Sequence, residues 1–164
     1  MNYIFDTSSV IVLIEICRLK EVLLKFSRDN GLFIPLRVKE EFLYGSDPSK
    51  NIDFDDIFSV KPIELDKRLL PYFHFDSFDG VIWVISYACK NSNCICVIDE
   101  EFGRKISTLF NVRFTGAMGI IIELRKAGLL SGKDLLDIKE RIRKSKFYHT
   151  EKLLSELDSY IGIS

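Results

Sequence analysis

Five short apolar segments alternate with helix-like segments along this chain, and two of them stop at a carboxylate. Residues 3–6 read as a strand that ends at Asp6, and residues 94–98 as a strand that ends at Asp99. Residues 32–35 form a third, stopped by Pro35. Residues 57–63 read as an edge-like strand because Pro62 falls within it. Residues 112–114 form a last short one. Helical patterns are predicted over 10–18, 19–27, 36–44, 64–70, 79–90, 101–110, 115–128, 131–144 and 150–160, with a polar, turn-rich loop at 45–56. Such alternation demands a mainly parallel sheet covered on both faces. The prediction is an α/β protein: a three-layer α/β/α sandwich with a four- to five-stranded sheet over residues 1–130, and a C-terminal helical hairpin, 131–164, packed on the same domain. Right-handed crossovers then place Asp6 and Asp99 on adjacent central strands.

The 164 residues suffice for one domain with its own core. No apolar run reaches the roughly 18 residues of a membrane span. The first residues carry neither a basic stretch nor a small-residue cleavage site, so a cytoplasmic protein with no membrane association is expected. Cys94 and Cys96 alternate on one strand face, and neither His74 nor His149 lies at zinc-ligand spacing from them. Cys17, Cys89, Cys94 and Cys96 therefore read as thiols in a reducing compartment, not as a zinc site or a disulfide framework. A net charge of −1 argues against a dedicated high-affinity nucleic-acid binder. It leaves room for a nuclease, in which bound divalent ions supply local positive charge.

Two further acids sit where the same topology would gather them. Glu41 lies on the predicted helix after Pro35, and Asp79 opens the most apolar helix. Carboxyl ends of parallel strands and the starts of the following helices meet in the crevice where such folds bind ligands. Two carboxylates about 6 Å apart repel by roughly 3 kcal/mol at an effective dielectric near 20. A divalent-metal site relieves that cost, and its natural chemistry is attack on a phosphodiester. No phosphate-binding loop or dinucleotide fingerprint is present.

Four segments in order carry a resemblance. An apolar strand ends in Asp6 followed by Thr7; Ile34 and Pro35 precede Val38 and Glu41; Asp79 opens a small-apolar helix; and Asp99 ends a strand and is followed by Glu100, Glu101 and Arg104. The chain resembles a PIN domain, the metal-dependent nuclease fold of VapC-type toxins and several RNA-processing enzymes. Thr115-Gly116-Ala117-Met118-Gly119 before an apolar helix, with the helical hairpin after it, resembles one branch of that family. The resemblance covers nearly the whole chain. It implies a metal-dependent ribonuclease in which Asp6, Glu41, Asp79 and Asp99 hold Mg²⁺ or Mn²⁺ and cut single-stranded or structured RNA. It also implies an antitoxin protein as a partner if the chain is a toxin. Glu100 stands where the family usually has a second Asp. The segment before Asp79 contains Asp76, a rival for third acid; Asp79 is preferred because it lies in register with Val81, Ile82, Val84, Ile85 and Ala88.

Each residue has a plainer reading. Asp6 and Asp99 are also placed to cap helices. Glu41 has Glu40 as a rival, but lies nearer the inward face set by Val38 and Phe42. Glu100 and Glu101 could be a solvated first turn favoured by the helix dipole, with Glu101 the stronger candidate for contact with metal or water. Arg104 could pair with Glu100, hold a carboxylate or approach a phosphate. Thr7, Ser8, Ser9 and Thr115 are cap candidates; near a metal, Thr115 would orient a ligand or water. Tyr72, His74 and Phe75 read as loop packing before base stacking. The apolar tail helices and 13 Phe predict a homodimer or a helical partner. A non-catalytic PIN-like interaction module is the alternative to the enzyme.

Overall fold

The computed structural model describes residues 1–45, 54–74, 80–147 and 150–162. Five strands, β1 (Asn2–Phe5), β2 (Gly31–Pro35), β3 (Ser59–Lys61), β4 (Cys94–Val97) and β5 (Phe114–Thr115), form one sheet in the order β3-β2-β1-β4-β5. Every pairing is parallel. β1 lies in the middle with Phe5 opposite Val97, so Asp6 and Asp99 leave adjacent strands at the same edge.

Strand alternation divides the core. Tyr3, Phe5, Leu32, Ile34 and Val97 face one layer, and Ile4, Cys94, Cys96 and Ile98 face the other. The first layer is packed by α1 (Thr7–Ile11), α2 (Lys20–Phe26), α3 (Leu36–Gly45), α4 (Phe54–Ile57), α7 (Ala117–Lys126) and α8 (Gly132–Lys144). The second is packed by α5 (Gly80–Lys90) and α6 (Glu101–Leu109). All four cysteines are free thiols; Cys17, Cys94 and Cys96 are buried. No helix is long and apolar enough to cross a membrane among the described residues.

Several boundaries differ from the sequence reading. The first helix starts at Thr7, three residues early, because Asp6 caps it. Its β-branched continuation widens into a π turn at Val12–Ile16. Ile57 belongs to the short helix α4, where Phe54 packs on Phe42 and Phe58, so β3 shrinks to three residues and Pro62 falls just after it. The helix expected at 64–70 is a 3₁₀ helix at Lys67–Tyr72, opened by the Asp66 cap. The last helix divides into α9 (Glu151–Ser155) and α10 (Asp158–Ile161). Asn111 and Gly128 stop their helices in the left-handed region, at φ 53° and 72°. Leu135, Ile138, Ile142, Leu154 and Leu157 from the tail helices are buried in the first layer's core.

Candidate active site

The strand order reverses between β1 and β4: β1 leads outward to β2 and β3, and β4 to β5. Parallel sheets bind ligands in the crevice outside the carboxyl ends of the strands at such a switch point. Asp6 and Asp99 stand there.

Asp6 is 1% exposed. Its Oδ1 accepts from the Ser9 backbone N–H at 2.8 Å, which caps α1, and its Oδ2 accepts from the Ser8 hydroxyl at 3.1 Å. The Asp99 side chain is 8% exposed. Its Oδ1 accepts from the Ala117 N–H at 3.0 Å, so a carboxylate from β4 caps α7, whose own N-cap is Gly116 and has no capping side chain. The Ser9 hydroxyl joins the two acids' surroundings. Its oxygen lies 3.1 Å from Asp99 Oδ2 and 3.0 Å from the Val97 carbonyl, and its single proton serves one acceptor at a time.

Burial dominates the electrostatics. It raises the Asp6 pKa to about 6, against the hydrogen bonds from Ser9 and Ser8, with the Asp99 charge adding to the rise. Burial also raises Asp99, opposed by the Ala117 N–H, Ser9 and Arg104. Arg104 Nη2 is 3.6 Å from Asp99 Oδ1, while its Nε donates to the Ile98 carbonyl at 2.9 Å. The guanidinium is thus anchored to β4 and serves as a carboxylate holder.

Glu41 approaches from α3. Its Oε2 accepts the Thr7 hydroxyl at 2.5 Å and its Oε1 pairs with Arg37 Nε at 3.2 Å. Gly80, the first residue of α5, makes this approach feasible. A Cβ there would stand 2.6 Å from Val38, 3.0 Å from Thr7 Oγ1 and 3.4 Å from Glu41 Oε2. Asp6, Thr7, Ser8, Glu41, Gly80 and Glu100 line one depression of about 170 Å³. Asp99 is linked to it through Ser9.

The remaining predicted residues separate. Glu100 occupies the N-cap position of α6 and lines the depression. Glu101, preferred over it on sequence, is in solvent: its side chain is 83% exposed and pairs with Lys105 at 2.7 Å, a bond that lowers its pKa. Glu40 points away and pairs with Arg37. Thr115 does not line the acidic depression; its side chain lies against the Cα of Gly119 and faces a separate groove with Tyr3, Ile95 and Ile122. The two glycines of the Thr-Gly-x-x-Gly run have steric reasons. A Cβ at Gly116 would meet Arg104 and stand 2.6 Å from Asp99 Oδ1, and one at Gly119 would collide with Thr115. Asp76 and Asp79 lie outside the described residues. Sequence reading takes Ser8 and Ser9, with Thr7, only as cap candidates, without the link from Ser9 to Asp99, and it passes over Arg37. The hydroxyl run after Asp6 was the available signal for Ser9; a helical i,i+4 pairing with Glu41 was the signal for Arg37.

No group of three His, Cys, Asp or Glu side chains gathers to hold a metal among the described residues. The donors that do meet are carboxylate oxygens, the hard ligands that suit Mg²⁺ and Mn²⁺. Mg²⁺ in particular keeps several waters and takes one or two carboxylates with substrate phosphate. Asp6 and Glu41, which line the depression, are donors of the kind such an ion takes.

A family model described as "DUF3368: PIN domain" matches residues 2–162. The chain belongs to the PIN domain family, whose fold is of nuclease type and whose members typically use divalent metals. Comparison with curated proteins finds no match.

Proposed function

We propose that the protein is a metal-dependent endoribonuclease that hydrolyses RNA phosphodiesters. The observation that carries this reading is the pair Asp6 and Asp99: Asp6 buried, the Asp99 side chain 8% exposed, both following adjacent strands at the switch point and joined through Ser9. Asp6 and Asp99, with Glu41 and Asp79, would hold Mg²⁺ or Mn²⁺. When bound, the ion lowers the pKa of the attacking water and offsets charge on the phosphate and leaving oxygen. The chain's own residues do the rest. Ser9, Ala117 and Arg104 fix the Asp99 carboxylate, Ser8 and Ser9 fix that of Asp6, and Thr7 with Arg37 fixes Glu41. Thr7, Glu100 and Arg104 support the site; no protein nucleophile is needed. If the protein is the toxin of a toxin–antitoxin pair, an antitoxin would cover this depression. Self-association as a homodimer would use surface outside the buried faces of the tail helices.

The capping roles of Asp6 and Asp99 favour a second reading, a non-catalytic PIN-like module in which both acids are structural. Cleavage of a labelled single-stranded RNA with Mn²⁺, with chelator, and by Asp99→Asn separates the two. Cleavage that needs both the metal and Asp99 is expected. Intact RNA at every metal concentration would leave the non-catalytic module.

A further inference from the structure

The groove that Thr115 faces lies apart from the acidic depression and shares no lining residue with it. Its shape follows from the sheet. Tyr3 of β1 pairs with Ile95 of β4, and the carbonyl of Arg113, just before β5, accepts the Cys96 N–H at 2.9 Å. Extending the β4–β5 register by one residue puts Arg113 beside Ile95, so the three side chains form one row on one sheet face. The short Ile95 stands between two long neighbours and leaves a hollow above itself. α7 borders this hollow with Gly119, Ile122, Glu123 and Lys126, spaced along one helical face. Tyr160 of α10 closes the far side, its ring centroid 5.9 Å from Lys126 Nζ. The groove has about 640 Å³, within the roughly 300–1,000 Å³ of small-molecule sites.

Two polar groups of the groove are unmatched. Tyr3 is 3% exposed, yet its hydroxyl makes no hydrogen bond among the described residues, where buried tyrosines usually find one. It is not sealed off like the Trp83 indole nitrogen, the one fully enclosed side-chain atom without a partner among those residues, so the groove that Tyr3 lines reaches it. Burial raises the Tyr3 pKa, and the Glu123 charge adds to the rise, so the hydroxyl keeps its proton and can donate. Arg113 gives one N–H to the Ser92 carbonyl at 2.9 Å and meets no carboxylate among the described residues. Glu123 is already met by Lys126 at 2.9 Å. We propose that the groove binds a small amphiphilic carboxylate, with its anionic group on Arg113, its apolar body against Ile95 and Ile122, and a second hydrogen-bond acceptor at the Tyr3 hydroxyl. Charge and shape select this class. A guanidinium holds a carboxylate through two parallel N–H bonds. A cation would meet Arg113 and Lys126. A neutral apolar molecule would leave both polar groups unmatched, and an inorganic anion would leave the isoleucines and the Tyr160 ring bare. β5 has two residues, too short an edge to template an added peptide strand. The row from Tyr3 to Arg113 spans two strand spacings, about 9–10 Å, which sets the distance between the ligand's two polar ends.

This site stands independently of the nuclease reading, and its test needs neither metal nor turnover. The full chain is titrated in chelator with 8-hydroxyoctanoate, with octanoate and with 1,8-octanediol, and backbone amide NMR shifts are followed. Octanoate lacks the acceptor for Tyr3, and the diol lacks the charge for Arg113. Saturable shifts at Ile95, Arg113, Ile122 and Tyr160 are expected, with dissociation constants in the millimolar range or below for molecules of this size. The hydroxy acid should bind about 2- to 10-fold tighter than octanoate, the scale of one neutral hydrogen bond, and about 10- to 150-fold tighter than the diol, the scale of a charged one. Tyr3→Phe should erase the first preference and keep the second. Arg113→Gln should do the reverse, and both variants should melt as wild type does. No saturation in the millimolar range, equal binding of the acid and the diol to wild type, or preferences that survive both substitutions would overturn the site.

Discussion

The two sides of the acidic depression are held by different kinds of bond. Asp6 and Asp99 are fixed by backbone: each accepts an N–H from the first turn of a helix, and β1 and β4 are paired beneath them. Glu41 is fixed by side chains alone, the Thr7 hydroxyl and the Arg37 guanidinium, and its side chain is 25% exposed. The first side is set once the sheet forms. The second depends on the approach of α3 to α5 and can adjust. The difference separates residues whose charge governs stability from residues whose position governs only the site.

The largest effect should come from breaking the first side. Asp6→Asn and Asp99→Asn keep a capping acceptor and lose a charge. RNA cleavage should fall roughly 100-fold or more, the scale on which removal of one charge-stabilising group acts. In chelator both variants should melt at or above the wild-type temperature. Mn²⁺ at about 100 times its dissociation constant should stabilise wild type by roughly 2.7 kcal/mol, and the variants by little. Strong destabilisation of both variants in chelator would mean that the carboxylates act only as caps, and the contrast between the two sides would lose its functional meaning.

The pH dependence of the metal-free protein sharpens the same point. The Asp6 pKa is raised in the folded state from its ordinary 3.8 to about 6, chiefly by burial. The folded protein therefore binds more protons than the unfolded chain across that interval. Stability is highest below pH 4 as far as this group is concerned and falls as pH rises through about 6. The loss is on the order of 3 kcal/mol, and the raised Asp99 adds to it in the same direction. Asp66, which its hydrogen bonds from Arg68 hold down at about 2, titrates below this window. Melting in chelator between pH 4 and 7 should show the decline in wild type and most of it absent in Asp6→Asn. A flat wild-type profile would remove the electrostatic half of the comparison.

What sequence made visible follows the same division. The strand ends at Asp6 and Asp99 and the parallel order were legible because apolar runs and crossover handedness constrain them strongly. The cap donated across the fold by Asp99 to α7 was not, since nothing in the local sequence pairs residue 99 with Ala117. Glu101 was preferred to Glu100 because both start a helix and no pattern tells which one turns inward. The steric basis of Gly80 and Gly116 was equally hidden, because it depends on which side chain arrives from a distant element. Ile57 misled because its apolar neighbours fit a strand as well as the short helix α4.

Those two glycines give a matched pair of substitutions. Gly116→Ala would put a methyl 2.6 Å from Asp99 Oδ1 and against Arg104, on the backbone-fixed side, where α7 and the Ala117 N–H must move with it. A destabilisation of about 1–3 kcal/mol, typical of overpacking, and a loss of cleavage are expected. Gly80→Ala meets Val38 at 2.6 Å and Thr7 at 3.0 Å on the adjustable side. Cleavage should fall by up to about 100-fold there, the scale of a positioning group misplaced by about 1 Å, with a smaller loss of stability. Denaturant midpoints and cleavage rates on both proteins check this. Equal stability losses would show that α3 and α5 are held as rigidly as β1 and β4.

The smallest effect on stability should come from Glu41→Gln. The pair with Arg37 is partly exposed, and such pairs contribute about 0–1 kcal/mol. Gln keeps an oxygen that can accept the Thr7 hydroxyl, so the local hydrogen bond survives while the charge is lost. The melting temperature should therefore stay within about 4 °C of wild type, at low and at high salt. Cleavage should still fall, and more Mn²⁺ should restore part of it, because a lost ligand charge weakens metal affinity without dismantling the buried pair. If cleavage falls and no metal concentration restores any of it, Glu41 acts on the substrate or the water and not through the ion. If neither cleavage nor melting changes, α3 contributes only packing, and the chemistry belongs to the side held by Asp6 and Asp99.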